Sequence, residues 1–261
     1  MHHALLDEYA LNSPLRNKNN KLKLGLVAAA LLVGVSSTSP VAPLFIALTM
    51  SLATICLGKI PAKFYAELAF APLSFALFGS VIILFFFGSG PEIFSMELLG
   101  HRIGASAEGA DLAVLVVSRT LSGMSCLFFL ALTTPMVELF AVLKTLRMPD
   151  SFVELSMMIY RYIFVFLEVA IRMRRAQIMR LGYDGFHSSI QSFSMMAGTL
   201  FLRTWEQGEK LYTAMDARCY DGRLSLFEEN RPIKLQEILA TSGYVTFIAT
   251  LAYLSRGATI F

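Results

Sequence analysis

Between Leu24 and Gly58 the chain holds no Asp, Glu, Lys, Arg or His. About 20 apolar residues cross a bilayer as a helix, so this stretch is long enough for two short spans. Ser36-Ser37-Thr38-Ser39-Pro40, with Pro43 soon after, supplies the turn between them. Composition agrees: mean hydropathy is +0.61, and charged residues make up 16% of the chain, where a soluble domain carries roughly 25%. The net charge of +3 is too small and too scattered for nucleic acid. The reading is a membrane protein.

Three further spans follow by hydropathy. One runs from about Phe64 to Phe87 with Pro72 inside it, a residue membrane helices tolerate where neighbours satisfy the freed carbonyl. Another covers about Leu112 to Leu132, and the last about Leu235 to Ser255. Arg16, Lys18, Lys21 and Lys23 precede the first span, and Lys59 and Lys63 sit between the second and third. The loop from Gly88 to Asp111 instead carries Glu92, Glu97, Glu108 and Asp111 against Arg102. Basic loops stay inside, so the expectation is a multi-pass protein of the cell membrane with a cytoplasmic N-terminus. No cleavable signal peptide is expected.

The predicted fold is an all-α membrane protein with about five transmembrane helices and a cytoplasmic region of long amphipathic helices. Its divisions are residues 1–23 (cytoplasmic segment), 24–132 (four spans), 133–234 (cytoplasmic helices) and 235–261 (last span and C-terminus). Thr134-Pro135 reads as an N-cap and first-turn pair, opening a helix that stops near Met148-Pro149. Asp150 or Ser151 is expected to cap the next helix. Met158, Tyr162, Val165, Val169, Met173 and Ala176 form one stripe along it. Met196, Leu200, Thr204, Gly208, Leu211 and Met215 form another on the helix after, where Glu206 and Lys210 make an i,i+4 pair. Both stripes read as packing surfaces.

Catalytic signatures are absent from the sequence. Gly58-Lys59 lacks the rest of a phosphate-binding loop, and neither His-Glu-x-x-His nor Gly-x-Ser-x-Gly occurs. Cys56, Cys126 and Cys219 are far apart and read as apolar fillers. His101 and His187 read as ordinary loop residues, and Met1-His2-His3 as an incidental histidine pair at a chain end rather than a nickel or copper chelate. Glu67 falls at a wet span edge beside Lys63. Arg119 lies inside a span, where it either snorkels outward or pairs within the bundle.

One phrase recurs in the polar region. Arg-x-x-Tyr-Asp-Gly at 180–185 returns, one residue shorter, as Arg-x-Tyr-Asp-Gly at 218–222. Each copy closes an amphipathic helix. Glycine fits the left-handed position past a helix end, which points to Gly182 or Gly185 for the first and Gly222 for the second. Arg180 and Arg218 then sit in or near last turns. There they either complement the helix dipole or present a fixed fork of donors to a partner. Met179, Leu181, Ala217 and Cys219 suit the lining of a partner's groove, with Tyr183 and Tyr220 as anchors.

At these residues the chain resembles the transmembrane T component of energy-coupling-factor transporters, specifically the cobalt/nickel type, the CbiQ family. The resemblance begins with Leu6-Asp7-Glu8-Tyr9-Ala10 and Ser13-Pro14-Leu15-Arg16, and continues with Leu132-Thr133-Thr134-Pro135. It is densest in Tyr160-Arg161-Tyr162-Ile163-Phe164, Arg172-Met173-Arg174-Arg175-Ala176, Leu200-Phe201-Leu202-Arg203 and Ala214-Met215-Asp216-Ala217-Arg218-Cys219-Tyr220-Asp221-Gly222.

The resemblance implies a non-catalytic coupling subunit of an ATP-driven importer, for cobalt or nickel ions. Its three-residue signatures fall on Met179-Arg180-Leu181 and Ala217-Arg218-Cys219; the arginines match and their neighbours partly depart from the usual Ala-Arg-Gly. Implied partners are the bilayer, a CbiO-like ATPase dimer and a CbiM-like substrate-binding membrane subunit. ATP and magnesium belong to the ATPases; no cofactor or metal is expected on this chain. Alternatives are the shared T component of a vitamin-type transporter, a stand-alone channel or transporter, and a membrane enzyme. The last has only Glu67 and Arg119 as near candidates.

Overall fold

The computed structural model describes residues 9–86, 92–98, 101–145, 148–220 and 234–256. The chain forms two compact units, Met1–Leu139 with Asn230–Phe261, and Phe140–Glu229.

In the first unit residues 9–12 are helical and lead into a 3-10 turn, Pro14–Asn17, capped by the hydroxyl of Ser13. Helix α1 (Asn20–Ser36) follows; the Asn19 side chain accepts the Lys21 N–H at its start. Helix α2 (Val41–Leu52) runs on into a π-turn, Ala53–Leu57, before α3 (Ala62–Phe86) and α4 (Ala107–Thr133). Helix α8 (Leu235–Leu254) completes the unit after the chain returns. Among the described residues three helices are long and apolar enough to cross a membrane: Ala62–Phe85, Glu108–Thr133 and Leu235–Leu254. The charge-free stretch forms two shorter helices broken at Ser37–Ser39, and Pro72 sits inside α3, as expected.

One element departs from the expectation of a plain loop between α3 and α4. Strands β1 (Glu92–Leu98) and β2 (His101–Ser106) pair antiparallel, with Glu97 opposite Arg102 and Leu98 opposite His101. The chain is an all-α membrane protein carrying this one small hairpin.

The core of the first unit gathers Val27 and Ala30 from α1, Ile46 and Met50 from α2, Cys126 and Phe129 from α4, and Ile248 from α8. Its polar seams are built from hydroxyls, which let helices approach closely and bond in an apolar setting. Ser118, Ser122 and Ser125 of α4 are all buried. Ser51 lies 2.7 Å from the Tyr65 hydroxyl and 3.0 Å from that of Ser125. Phe70, Phe75 and Phe78 on α3 are between 71% and 80% exposed, so that face suits lipid rather than protein. Glu67 is exposed. Arg119 pairs inward: its guanidinium donates to the Ser37 carbonyl at 2.6 and 3.2 Å.

Helix α5 (Met136–Thr145) opens one position later than the Thr134-Pro135 pair suggests. Pro135 accepts the first helical bond, from Leu139, while the Thr134 hydroxyl is buried without a hydrogen-bond partner. The second unit is dominated by α6 (Asp150–Met179) and α7 (Phe186–Asp216). Pro149, rather than Asp150 or Ser151, occupies the N-cap of α6, and Asp150 instead lies 3.7 Å from Lys144. Helix α7 runs back along α6. Along α7, Met196, Leu200, Leu211 and Met215 of the expected stripe are half-buried, but Thr204 and Gly208 are exposed. An apolar groove between α6 and α7 is lined by Leu155, Ile159, Ile163 and Phe166 on one side and Leu200 and Leu211 on the other.

Candidate functional site

Both arginine motifs close their helices with the same backbone device. At the end of α6 the Leu181 N–H donates to Ile178 O at 3.0 Å, and the Gly182 N–H to Gln177 O at 2.9 Å. At the end of α7 the Cys219 N–H donates to Asp216 O at 2.9 Å, and the Tyr220 N–H to Met215 O at 3.1 Å. This crossed pair of bonds satisfies carbonyls that a helix end leaves open, and it requires one left-handed residue.

That residue is not a glycine in either copy. Leu181 has φ 59° and Cys219 φ 57°, where the sequence pointed to Gly182, Gly185 or Gly222. Gly182 instead occupies the next position, where space decides: a Cβ there would meet Ser192 Oγ at 2.6 Å and Gln177 O at 3.0 Å. Gly185 has φ 102° but precedes α7 as its N-cap. Gly222 lies outside the described residues. Holding a bulky residue left-handed costs on the order of 1 kcal/mol or more. The same strained geometry after the same residue type, twice, marks the two ends as a matched pair.

Each arginine sits immediately before the strained residue. Arg180 has φ −99° and ψ 15° at the C-cap of α6, and Arg218 is its counterpart past α7. Both side chains are exposed and make no ion pair among the described residues. Met179 is 85% and Leu181 73% exposed, so these apolar groups serve no core. Ala217 and Cys219 are exposed at the second end.

The tyrosines do different work. Tyr183 donates to Gln177 Oε1 at 2.9 Å and lies under the Arg174 guanidinium, 6.0 Å from its ring centroid. Tyr220 donates to Glu154 Oε2 at 3.2 Å, and Glu154 is 5% exposed. A buried carboxylate needs such a partner. Both rings therefore brace the helix ends from within the chain.

Sequence reasoning missed the residues that shape the first end. Gln177 Nε2 donates to Ser192 O at 2.8 Å, and Ser188 and Ser192 both donate to Gly182 O, at 2.9 and 2.6 Å. The serines early in α7 were the available signal, since such residues bond backbone near helix starts.

The structure does not bring the two motifs together. They stand at opposite ends of α7, whose 31 residues span about 45 Å at 1.5 Å per residue. Among the described residues neither end holds a constellation for acid–base or nucleophilic chemistry. Among the described residues no cluster of His, Cys, Asp or Glu is arranged to hold a metal ion. What the arrangement offers is two cationic, apolar-flanked knobs with one spacing fixed by a single helix.

Comparison with known proteins follows the same line. The family model CbiQ, described as cobalt transport protein, matches residues 11–228. The chain is 43% identical over 94% of its length to a putative fused cobalt transport protein CbiMQ of Methanocorpusculum labreanum. It spans 41% of that longer relative. It is 30% identical to the cobalt transport protein CbiQ of Rhodobacter capsulatus, covering 85% of this chain and 86% of that one. It is 29% identical to the energy-coupling factor transporter transmembrane protein EcfT of Thermanaerovibrio acidaminovorans, covering 71% and 72%.

Proposed function

Because the chain belongs to the CbiQ family of cobalt transport proteins, we propose that it is the energy-coupling membrane subunit of an ATP-driven importer for cobalt or nickel ions. In this reading it carries the motion of an ATPase dimer to a separate substrate-binding membrane subunit. ATP and magnesium are bound by the ATPases, and the ion by the other membrane subunit. In this reading the N-terminus and the second unit lie on the cytoplasmic side, a side supported by the basic residues flanking α1 and α3.

One observation carries the reading: Arg180 and Arg218 cap two helices in the same strained geometry, both unpaired among the described residues and both outward. A dimer offers two equivalent grooves. Two equivalent knobs at a fixed spacing on a single chain suit such a partner, and a rigid helix between them converts a change in groove separation into tilt. Arginine remains charged and offers five donors in a fixed fork, so each knob stays seated while its groove moves. The similarity to a putative fused cobalt transport protein, CbiMQ, supports a second membrane subunit as neighbour.

The test is charge reversal. In the detergent-purified complex, R180E/R218E is expected to release the ATPase subunits and abolish cobalt(II) uptake by cells. Unchanged retention together with normal uptake in that variant would refute the roles given to the two arginines.

A further inference from the structure

Beyond the coupling knobs, one short segment of the first unit grips the chain at both places where it leaves and re-enters that unit. Arg16 Nε lies 3.0 Å from Glu138 Oε1, and Asn20 Nδ2 donates to the other oxygen of the same carboxylate. Lys23 Nζ donates to Thr133 O at 3.2 Å and to Asn20 Oδ1 at 3.1 Å. Lys18 Nζ lies 2.9 Å from Glu237 Oε1. Glu138 stands at the end of the outgoing chain, since the unit boundary follows Leu139. Glu237 is in the first turn of α8, the first helix after the chain returns.

The chemistry is that of a positioning device rather than a core. Lys23 is 7% exposed, and its partner is the carbonyl of the last residue of α4, where the helix dipole favours a cation. Glu138 has both carboxylate oxygens engaged from residues 16–20, which ties the first turn of α5 to the start of α1. The Lys18–Glu237 pair is half-exposed on the lysine side. Such a pair adds little to stability yet sets where α8 begins. None of these groups belongs to the hydrophobic core around Ile46 and Cys126.

We propose that residues 16–23 are a clamp that ties the outgoing link at Thr133–Glu138 and the return link at Glu237 to the start of α1. Displacement of the second unit is thereby delivered to the spans instead of being absorbed by the links. Arg16, Lys18, Lys23 and Glu138 are positioning residues for coupling. The inference rests on the coupling reading above and deepens it.

The experiment uses the complete complex with its ATPase pair and substrate-binding subunit in proteoliposomes. Cobalt(II) uptake and ATP hydrolysis are measured together. Arg16→Glu and Glu138→Arg, singly, are expected to keep the ATPases bound and hydrolysis near wild type, while uptake per ATP falls about tenfold, in the range of typical coupling energies. The double reversal R16E/E138R is expected to recover most of that ratio, as paired sites do in a double-mutant cycle.

Unchanged uptake per ATP in the single reversals overturns the clamp. So does a proportional fall in uptake and hydrolysis, or a double reversal with no recovery. If the reversed chains do not accumulate in the membrane, E138Q and K18Q take their place, and a wild-type ratio in both overturns the proposal. A wild-type chain that retains no ATPase overturns the coupling reading itself, and the clamp with it, without any substitution being made.

Discussion

Leu181 and Cys219 hold the same left-handed backbone, φ 59° and 57°, each one residue after an exposed arginine. A side chain in that conformation costs about 1–2 kcal/mol. Glycine removes the strain and returns up to about 1 kcal/mol as unfolded-state entropy. Leu181→Gly and Cys219→Gly are therefore expected to melt at or above the wild-type temperature in detergent. Leu181→Val, β-branched at the same φ, is expected to lose about 1–3 kcal/mol. In the proposed function the exposed Leu181 side chain lines the partner's groove, so L181G is expected to hold the ATPases less well while melting no earlier. A clear fall in melting temperature for L181G would show that its side chain serves the fold.

Gly182 tests the other half of that turn. Its carbonyl accepts from Ser188 and Ser192, and its missing Cβ leaves the space that the Ser192 hydroxyl fills. Gly182→Ala is expected to cost about 1–3 kcal/mol through overpacking and a lost hydrogen bond. Adding Ser192→Ala removes the atom that is struck at 2.6 Å. The pair should then be less destabilised than the sum of its singles, which thermal melts of all four chains would measure. Strict additivity would mean that the Gln177 carbonyl, 3.0 Å from the same Cβ position, sets the cost instead.

Much of this architecture is legible in the residues alone, because hydropathy and helical periodicity act locally. The charge-free stretch from Leu24 to Gly58 becomes α1 and α2, and the turn at Ser37–Ser39 is where hydroxyls and Pro40 put it. The arginine repeat announces two equivalent helix ends for the same reason. What escapes is set by distant partners or by space. Glycine tolerates the left-handed region and so points to Gly182, Gly185 and Gly222, whereas that conformation falls one residue after each arginine, on Leu181 and Cys219. Thr134 reads as a cap until burial separates its hydroxyl from every partner. Glu138 draws Arg16 and Asn20 across more than a hundred residues of sequence, and no local pattern encodes that. The hairpin at 92–106 lacks both strict alternation and a strong turn dipeptide, so it reads as loop.

A buried contact between α1 and α4 offers a third measurement. Gly34 faces Ser122, whose hydroxyl is buried with no hydrogen-bond partner, and a Cβ at Gly34 would meet that oxygen at 2.6 Å. An orphaned hydroxyl costs about 1–3 kcal/mol relative to a satisfied one. Ser122→Ala is expected to leave the melting temperature unchanged or raise it. Gly34→Ala is expected to cost about 1–3 kcal/mol of stability and to melt earlier, and G34A/S122A to recover part of the loss. If S122A alone destabilises the protein strongly, the hydroxyl has a bonding role that the packing of Gly34 against it does not reveal.

Arg119 lies about three turns inside a long span, and its geometry gives it one task. Its guanidinium donates twice to the carbonyl of Ser37, the C-cap of α1. Around that carbonyl the Ser37 hydroxyl donates to Ser39 O at 2.8 Å, and Ser39 is 1% exposed. The cation thus adds a tie from α4 to a turn held locally by its own short side chains and by the Ser37 N–H on Val33 O. Hydrogen bonds to charged groups contribute about 1.5–3 kcal/mol. Part of that is returned when the half-buried charge goes too, so Arg119→Met is expected to lower stability in detergent by about 1–2 kcal/mol. Lysine supplies a point charge instead of a planar fork and should recover part of the loss. A sharper readout is a single cysteine at position 39 in a chain whose native cysteines are replaced. It should resist a water-soluble thiol reagent with Arg119 present and react readily in R119M, as the turn loosens. Continued protection in R119M, with an unchanged melting temperature, would mean that helix packing alone holds the turn and that the cation is incidental to it.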